Sequence, residues 1–103
     1  MPKFFVKWTM DPTKIPASPE ERVKGYLAMA EMVKADIEAG KVKDWGLAAG
    51  GGGGYAIREE ASEAELFTAL MKWDPYVGFE VTPVLSLEQA VESIKKVAAA
   101  AMK

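Results

Sequence analysis

Cysteine and histidine, two residues that often carry chemistry, are both missing from this 103-residue sequence. Without cysteine the chain has no disulfides and no thiolate metal ligands, and cysteine usage gives no reading of its redox compartment. Without histidine it lacks the commonest general base and the commonest transition-metal ligand. The sequence therefore predicts no metal site and no cofactor.

Strong charge of one sign and long apolar runs are also lacking. The 13 basic and 15 acidic residues give a formal net charge of −2, which does not favour nucleic acid or an anionic membrane surface as a partner. No apolar run reaches membrane-spanning length and the N-terminus lacks a signal-peptide core, so we expect a cytoplasmic protein. We expect one domain over residues 1–103, with marginal burial for a lone monomer.

Periodicity and capping signals predict the element order β-α-β-β-α-β-α. Three helices are expected to start after Ser18, Ser62 and Ser86, because each serine is followed three residues later by Glu or Gln. The expected last strand, residues 78–85, contains Pro83, which cannot donate to a ladder and therefore predicts an edge strand or a bend.

Each predicted helix carries an apolar stripe at spacings of three and four residues. In the second helix we expect the stripe to be buried, and in the first we expect Met29 and Met32, which lie off the stripe, to face a subunit contact. The stripes are Val23, Tyr26, Leu27, Ala30, Val33 and Ile37; then Leu66, Phe67, Leu70 and Met71; then Leu87, Ala90, Val91, Ile94, Val97, Ala98 and Ala101.

The centre of the chain is a predicted hairpin, with arms over residues 42–49 and 55–60 and a loop of five glycines, Gly50–Gly54. A Walker loop needs a Gly-Lys-Ser/Thr ending that opens a helix, whereas a tyrosine and a strand follow here. The glycines are interpreted as a flexible or close-packed loop, or as room for a ligand or a partner's backbone. Because glycine-rich strands set register weakly, a slip of one residue would exchange the faces of Arg58 and Ile57.

The element order predicts an α+β fold, the ferredoxin-like β-α-β-β-α-β sandwich with a four-stranded antiparallel sheet and an extra C-terminal helix. Connection rules place the first and third strands at the centre. The sheet face away from the helices is expected to carry Phe5, Val84 and, depending on register, Ala56, which is too apolar for a face in water. We therefore expect a homodimer, or a higher homo-oligomer, in which this face meets the same face of a second subunit.

The element order, the length and the second half of the chain resemble the dimeric α/β-barrel superfamily, which includes muconolactone isomerase and cofactor-free quinol monooxygenases. Within it, residues 54–59, Trp73 and residues 79–85 (Phe-Glu-Val-Thr-Pro-Val-Leu) are similar to a small bacterial family of unknown function. The resemblance implies a homodimer whose two sheets close a dimeric α/β barrel, often with a small-molecule cavity in each half. It implies no reaction, because the superfamily hosts unrelated ones, and the catalytic histidine of some relatives is absent here.

Polar residues expected on the barrel face are candidates for a site. If the first strand lies between the third and fourth, Lys7 comes near Arg58 and Glu80, and a lysine beside a carboxylate and a second cation is one way of tuning a proton-transfer group. These three residues are the catalytic candidates, and their alternative role is an interface ion-pair cluster or a solvated strand face. The full set of ligand-binding candidates is Phe5, Lys7, Trp45, Tyr55, Arg58, Glu80 and Thr82.

Residues beside the hairpin add two further expectations. Trp45 adjoins Gly46, where it can wall a pocket, and Asp44 and Tyr55 can act as base or acid or lie at a rim. Trp73, next to Asp-Pro at a helix end, is expected to pack in the core or at the cap.

The sequence thus predicts a protein that binds a small apolar or aromatic molecule between sheet and helices. Two other classes stay open: a cofactor-free isomerase or monooxygenase of the muconolactone isomerase-like type, and a structural assembly subunit without a ligand. A PII-like signalling trimer shares the strand order and a long hairpin loop, but nothing here resembles its nucleotide-binding residues.

Overall fold

The computed structural model describes residues 1–102 and, within them, four strands and three α-helices. This order confirms the predicted β-α-β-β-α-β-α arrangement. The elements are β1 (Lys3–Met10), α1 (Pro19–Glu38), β2 (Val42–Leu47), β3 (Gly53–Glu59), α2 (Glu63–Met71), β4 (Val77–Val84) and α3 (Leu87–Ala101), with a 3-10 turn at Pro12–Lys14 after β1.

The strands form one antiparallel sheet in the order β2-β3-β1-β4, so the predicted central position of the first and third strands is confirmed. β4 pairs with β1 and forms an edge, which is where a strand containing Pro83 is tolerated. Together with the helices, this sheet is consistent with the ferredoxin-like fold predicted from the element order.

The helices start where the serine caps predict. In each case the hydroxyl of Ser18, Ser62 or Ser86 accepts a hydrogen bond from the backbone N–H three residues on, at 3.5, 3.2 and 3.1 Å. Gln89 returns a hydrogen bond to the Ser86 N–H at 2.9 Å, which completes a capping box. α1 ends just before Gly40, whose φ of +77° lies in the region that glycine enters without strain.

The two faces of the sheet differ in cover. The helix face, defined by Phe4, Val6 and Arg58, is turned to the helices, and the open face carries the alternate residues Phe5, Lys7 and Tyr55. Phe4 and Val6 are 0% and 1% exposed. They form the core with Ala56 and Leu66, against which Leu70 and Phe79 pack.

Part of the predicted burial is absent from the single chain. On α2, Leu66 is buried, whereas Phe67 and Met71 are 61% and 48% exposed, so the expectation that the whole stripe is buried is wrong for this chain alone. On α3 the apolar stripe is exposed throughout, with Ile94 at 66%. The chain is elongated, with extents of 66 × 26 × 22 Å.

Candidate ligand-binding cavity

A cavity of about 340 Å³ lies between the helix face of the sheet and α1. All four strands contribute to its floor, and α1 forms its roof. Residues Gly51 and Gly52 of the hairpin loop and Trp73 after α2 also line it. Most of the lining is apolar or aromatic, and Asp36 and Arg58 are its charged members.

Two stacked indoles form the most ordered part of the cavity wall. The rings of Trp8 and Trp45 have centroids 5.6 Å apart and planes inclined by 16°. The Trp8 indole N–H donates to the Tyr55 carbonyl at 3.4 Å. The wall therefore presents flat, electron-rich surface whose N–H group on Trp8 is already partnered.

Gly54 on β3 makes room for this stack. It pairs with Trp8, and a Cβ at Gly54 would come within 2.6 Å of the Trp8 ring and would also meet the Gly46 carbonyl. With no side chain in the way, the indole can lie across β3 and reach Trp45 on β2. The part of the glycine run within the strand is thus close-packed, as one of the sequence interpretations had it.

A bulge in β2 brings a second residue of that strand to the cavity. Val42 pairs with Arg58, but Asp44 pairs with Ile57, so Lys43 is an extra residue. A bulge of this kind redirects the side chains that follow it. As a result Val42 and Trp45, three positions apart, both line the cavity, whereas strict alternation would put them on opposite faces.

Arg58 forms a buried charged cluster at one end of the cavity. Its side chain donates to Asp36 on α1 at 3.1 Å and to Glu60 at 2.9 Å, and the residue is only 5% exposed. Lys41 lies 3.7 Å from the other oxygen of Glu60. Two cations and two carboxylates therefore balance, as a buried ion cluster must if it is not to leave an uncompensated charge.

One donor of this cluster is left without a partner. Within residues 1–102, the Arg58 Nε is buried and makes no hydrogen bond. A buried N–H without an acceptor is uncommon and costs free energy, because water no longer solvates it.

The open face holds a different group of polar residues. Lys7 pairs with Tyr55 on one side and Glu80 on the other, and the Phe5 and Tyr55 rings stack with centroids 6.3 Å apart. The Tyr55 hydroxyl donates to Asp44 at 3.0 Å. This hydrogen bond, helped by partial desolvation, raises the pKa of Tyr55 above its ordinary value of 10, so at neutral pH Tyr55 is a donor and not a base.

The register separates the predicted site residues onto the two faces. Arg58 pairs with Phe4 and lies on the helix face, so the prediction that it shares a face with Lys7 and Glu80 is wrong. The reason is a difference of one residue in the glycine-rich hairpin, because each slip of one position reverses the faces. Ala56, which the sequence left open, lies on the helix face as well. Trp45 and Arg58 line the cavity, and the other candidates lie on the open face: Phe5, Lys7, Tyr55, Glu80 and Thr82.

Several cavity residues were not among the sequence candidates. Met29, expected at a subunit contact, lines the cavity together with Tyr26, Val33 and Asp36. Their spacing of three, four and three residues is itself a helical stripe and could have indicated the inner side of α1. Trp73, expected to pack in the core or at a cap, also lies at the cavity.

The fold and the cavity define a small α+β protein with a four-stranded antiparallel sheet and a tryptophan-lined cavity beneath its first helix. The chain belongs to the family described as a domain of unknown function, DUF3303, which matches residues 2–98. Membership of such a family agrees with the resemblance found in the second half of the chain. No significant match is found among curated proteins. Within the described residues, no helix combines the length and apolar character that crossing a membrane requires.

Proposed function

We propose that this protein binds a small apolar or aromatic molecule in the cavity between the sheet and α1. The observation that carries the proposal is the cavity itself, about 340 Å³ with a lining that is mostly apolar and includes three tryptophans. This volume falls within the range of about 300–1,000 Å³ that is usual for small-molecule sites. An aromatic ligand would gain additional stabilisation from the indole faces.

The proposal is tested with the neutral dye N-phenyl-1-naphthylamine, whose fluorescence rises in apolar surroundings. We expect saturable binding with one dye per chain. Replacing Val33, which lines the cavity from α1, by phenylalanine fills part of that space and should weaken binding at least about tenfold, since one added ring removes the volume the dye needs.

Met32→Phe is the matched control, because Met32 is the neighbouring residue of α1 and does not line the cavity. It adds the same ring at a position 37% exposed and should leave dye binding unchanged. Dye binding that is equally strong in Val33→Phe and Met32→Phe would contradict the proposed site.

We further propose that the protein is a homodimer formed through the open face, as expected from the sequence. Phe5 on this face is 38% exposed, and its stacking on Tyr55 makes a flat aromatic patch beside Ile57 and Val84. Sedimentation equilibrium of the wild type and of Phe5→Glu tests this arrangement. A charged side chain at a buried interface should convert the dimer to monomer.

The isomerase or monooxygenase alternative draws less support from the geometry. Lys7 and Glu80 lie on the open face, whereas the cavity and Arg58 lie on the helix face. A purely structural role requires that protein contacts consume the cavity, and dye binding to the assembled protein separates that role from the one proposed.

A further inference from the structure

We propose that the cavity selects aromatic molecules bearing one neutral hydrogen-bond acceptor, such as a ketone or aldehyde carbonyl, which Arg58 Nε binds. This rests on the proposed function and names its ligand class. It starts from the donors of Arg58, which lines the cavity. Two of its nitrogens are held by Asp36 and Glu60, and Nε is the buried donor left without an acceptor in residues 1–102.

A ligand oxygen at Nε would remove the cost of this unmet donor. Hydrogen bonds to a charged group contribute more than those between neutral groups. The same ligand can lay its ring against the Trp8 and Trp45 walls, since those residues line the same cavity. An acceptor attached to an aromatic ring therefore satisfies both features at once.

The charge balance of the cluster decides between a neutral and an anionic acceptor. Asp36 and Glu60 already match the charges of Arg58 and Lys41. A carboxylate would bring a third negative charge against two positive ones in a site where Arg58 and Glu60 are 5% and 3% exposed. Burying an excess charge is costly, so a neutral oxygen is favoured.

The test is competition against N-phenyl-1-naphthylamine on the wild-type protein with three compounds of nearly equal shape. They are 2-acetylnaphthalene, 2-isopropenylnaphthalene, in which CH₂ replaces the carbonyl oxygen, and 2-naphthoate. We expect the ketone to bind about tenfold more tightly than the alkene, as a hydrogen bond to a charged donor allows, and the carboxylate to bind more weakly than the ketone.

Equal affinities for ketone and alkene, or tightest binding of 2-naphthoate, would overturn the ligand class while leaving the small-molecule site in place. Failure of the dye and of all three compounds to bind would instead overturn the proposed function. The two failures are therefore distinguishable.

The charge argument has its own variant. Asp36→Asn keeps an acceptor for Arg58 but gives the cluster one excess positive charge, so 2-naphthoate should bind about tenfold more tightly while the ketone changes little. Glu31→Gln removes one negative charge at an exposed position of the same helix and serves as the control. An unchanged preference in Asp36→Asn would overturn the role assigned to charge.

A second feature, independent of the cavity, is the isolation of α3. Its apolar residues are exposed over the whole helix, with Leu87, Ile94 and Val97 at 80%, 66% and 69%. A stripe of this kind normally faces a protein surface. The radius of gyration is 17.5 Å, against about 13 Å for a compact domain of this length.

The exposed area measures how much cover is missing. The chain exposes 7389 Å², whereas a compact monomer of this mass exposes roughly 5,700 Å². The excess exceeds the roughly 800 Å² per partner of a standard interface and falls in the range of obligate dimers. One further copy of the chain would supply cover of the required size.

We infer that α3 of each chain packs against a second copy. Each copy offers apolar surface to receive it, including Phe67 and Met71 on α2 and Leu85 before α3. The charges within α3, Glu88 and Glu92 against Lys95 and Lys96, cancel, unlike the basic helices that bind membrane surfaces. A two-fold dimer would bury both copies of α3 in equivalent positions.

Sedimentation equilibrium tests the inference on the full chain. We expect a wild-type dimer, and in Ile94→Glu a dissociation constant raised at least about 100-fold, because a carboxylate would enter an apolar contact. Lys96→Glu, on the opposite side of α3, adds the same side chain as a control and should remain dimeric. Circular dichroism and dye binding check that both variants fold.

A monomeric wild type would overturn this inference and the proposed dimer together. An Ile94→Glu protein that stays dimeric while Phe5→Glu dissociates would overturn the role of α3 alone.

Discussion

The two faces of the sheet are made from alternate residues of the same strands, yet they meet different surroundings. On β1, Phe4 is fully buried and its neighbour Phe5 is 38% exposed. On the helix face the cationic Arg58 is held by two carboxylates, whereas on the open face Lys7 is exposed. The comparison shows that cover, and not residue type, decides which charges need partners.

The faces also differ in how closely they are filled. On the helix face, α2 packs Leu66 into the core, while α1 leaves a cavity over the tryptophan pair. On the open face, the aromatic pair Phe5 and Tyr55 lies flat on the sheet. Each face therefore has its own aromatic stack, one lining a cavity and one exposed, and substitutions on the two faces should have separable effects.

The largest difference is expected between two adjacent phenylalanines. Phe4→Ala removes a fully buried ring and should lower the free energy of unfolding by about 4 kcal/mol, from lost burial plus a residual cavity. Phe5→Ala should lower it by less than about 1 kcal/mol in the monomer, since much of that ring already meets water. Urea denaturation at a concentration that keeps the chain monomeric measures both, and equal losses would contradict the assignment of faces.

A smaller difference is expected between the cations of the two faces. Arg58→Ala leaves Asp36 and Glu60 without their partner and should cost about 3 kcal/mol, at the low end for buried pairs because the Asp36 side chain is 21% exposed. Lys7→Ala should change the free energy of unfolding by less than about 1 kcal/mol, as for exposed charges. The same urea experiment decides, and a mild Arg58→Ala would mean that the cluster is solvated.

Glycines distinguish the strand from the loop of the hairpin. Gly54→Ala places a Cβ against the Trp8 ring and the Gly46 carbonyl, so it should destabilise by about 2 kcal/mol. Gly50→Ala meets nothing within 4 Å in the described residues and should be neutral or slightly stabilising, through the less flexible unfolded chain. Thermal unfolding of the two variants makes the comparison, and a neutral Gly54→Ala would show that the tryptophan stack can shift.

The elements of this fold were predictable because their signals are local. Ser18, Ser62 and Ser86 cap the three helices through contacts only three residues long, and Pro83 marks an edge strand by what its own backbone lacks. Strand order followed from connection rules that depend only on element sequence. None of these inferences needs knowledge of which side chains meet across the sheet.

The candidate site was only partly predictable because it depends on register. A bulge at Lys43 and the start of pairing within the glycine run set the face of every residue on β2 and β3. Arg58 is polar and was therefore expected on the face away from the helices, but Asp36, 22 positions earlier in the chain, makes its burial possible. Sequence pattern does not reveal a partner that distant. The homodimer, the ligand and the roles of Lys7 and Glu80 stay predictions.

The smallest expected effect concerns ionisation on the open face. The hydrogen bond to Asp44, with partial desolvation, raises the pKa of Tyr55, so any stability that it contributes is present below the ordinary tyrosine pKa and is lost as the pH rises through the folded-state value. Asp44→Asn removes the negative charge and should bring the pKa of Tyr55 back toward 10.

Absorbance titration at the tyrosinate band follows this shift, and Tyr55→Phe identifies which transition belongs to Tyr55. Because the pair is exposed, we expect urea denaturation at neutral pH to be the same for Asp44→Asn and the wild type. A titration unchanged by Asp44→Asn would contradict the observed contact. A large loss of neutral-pH stability would instead mean that the open face is covered, which is the condition that the proposed dimer would create in solution.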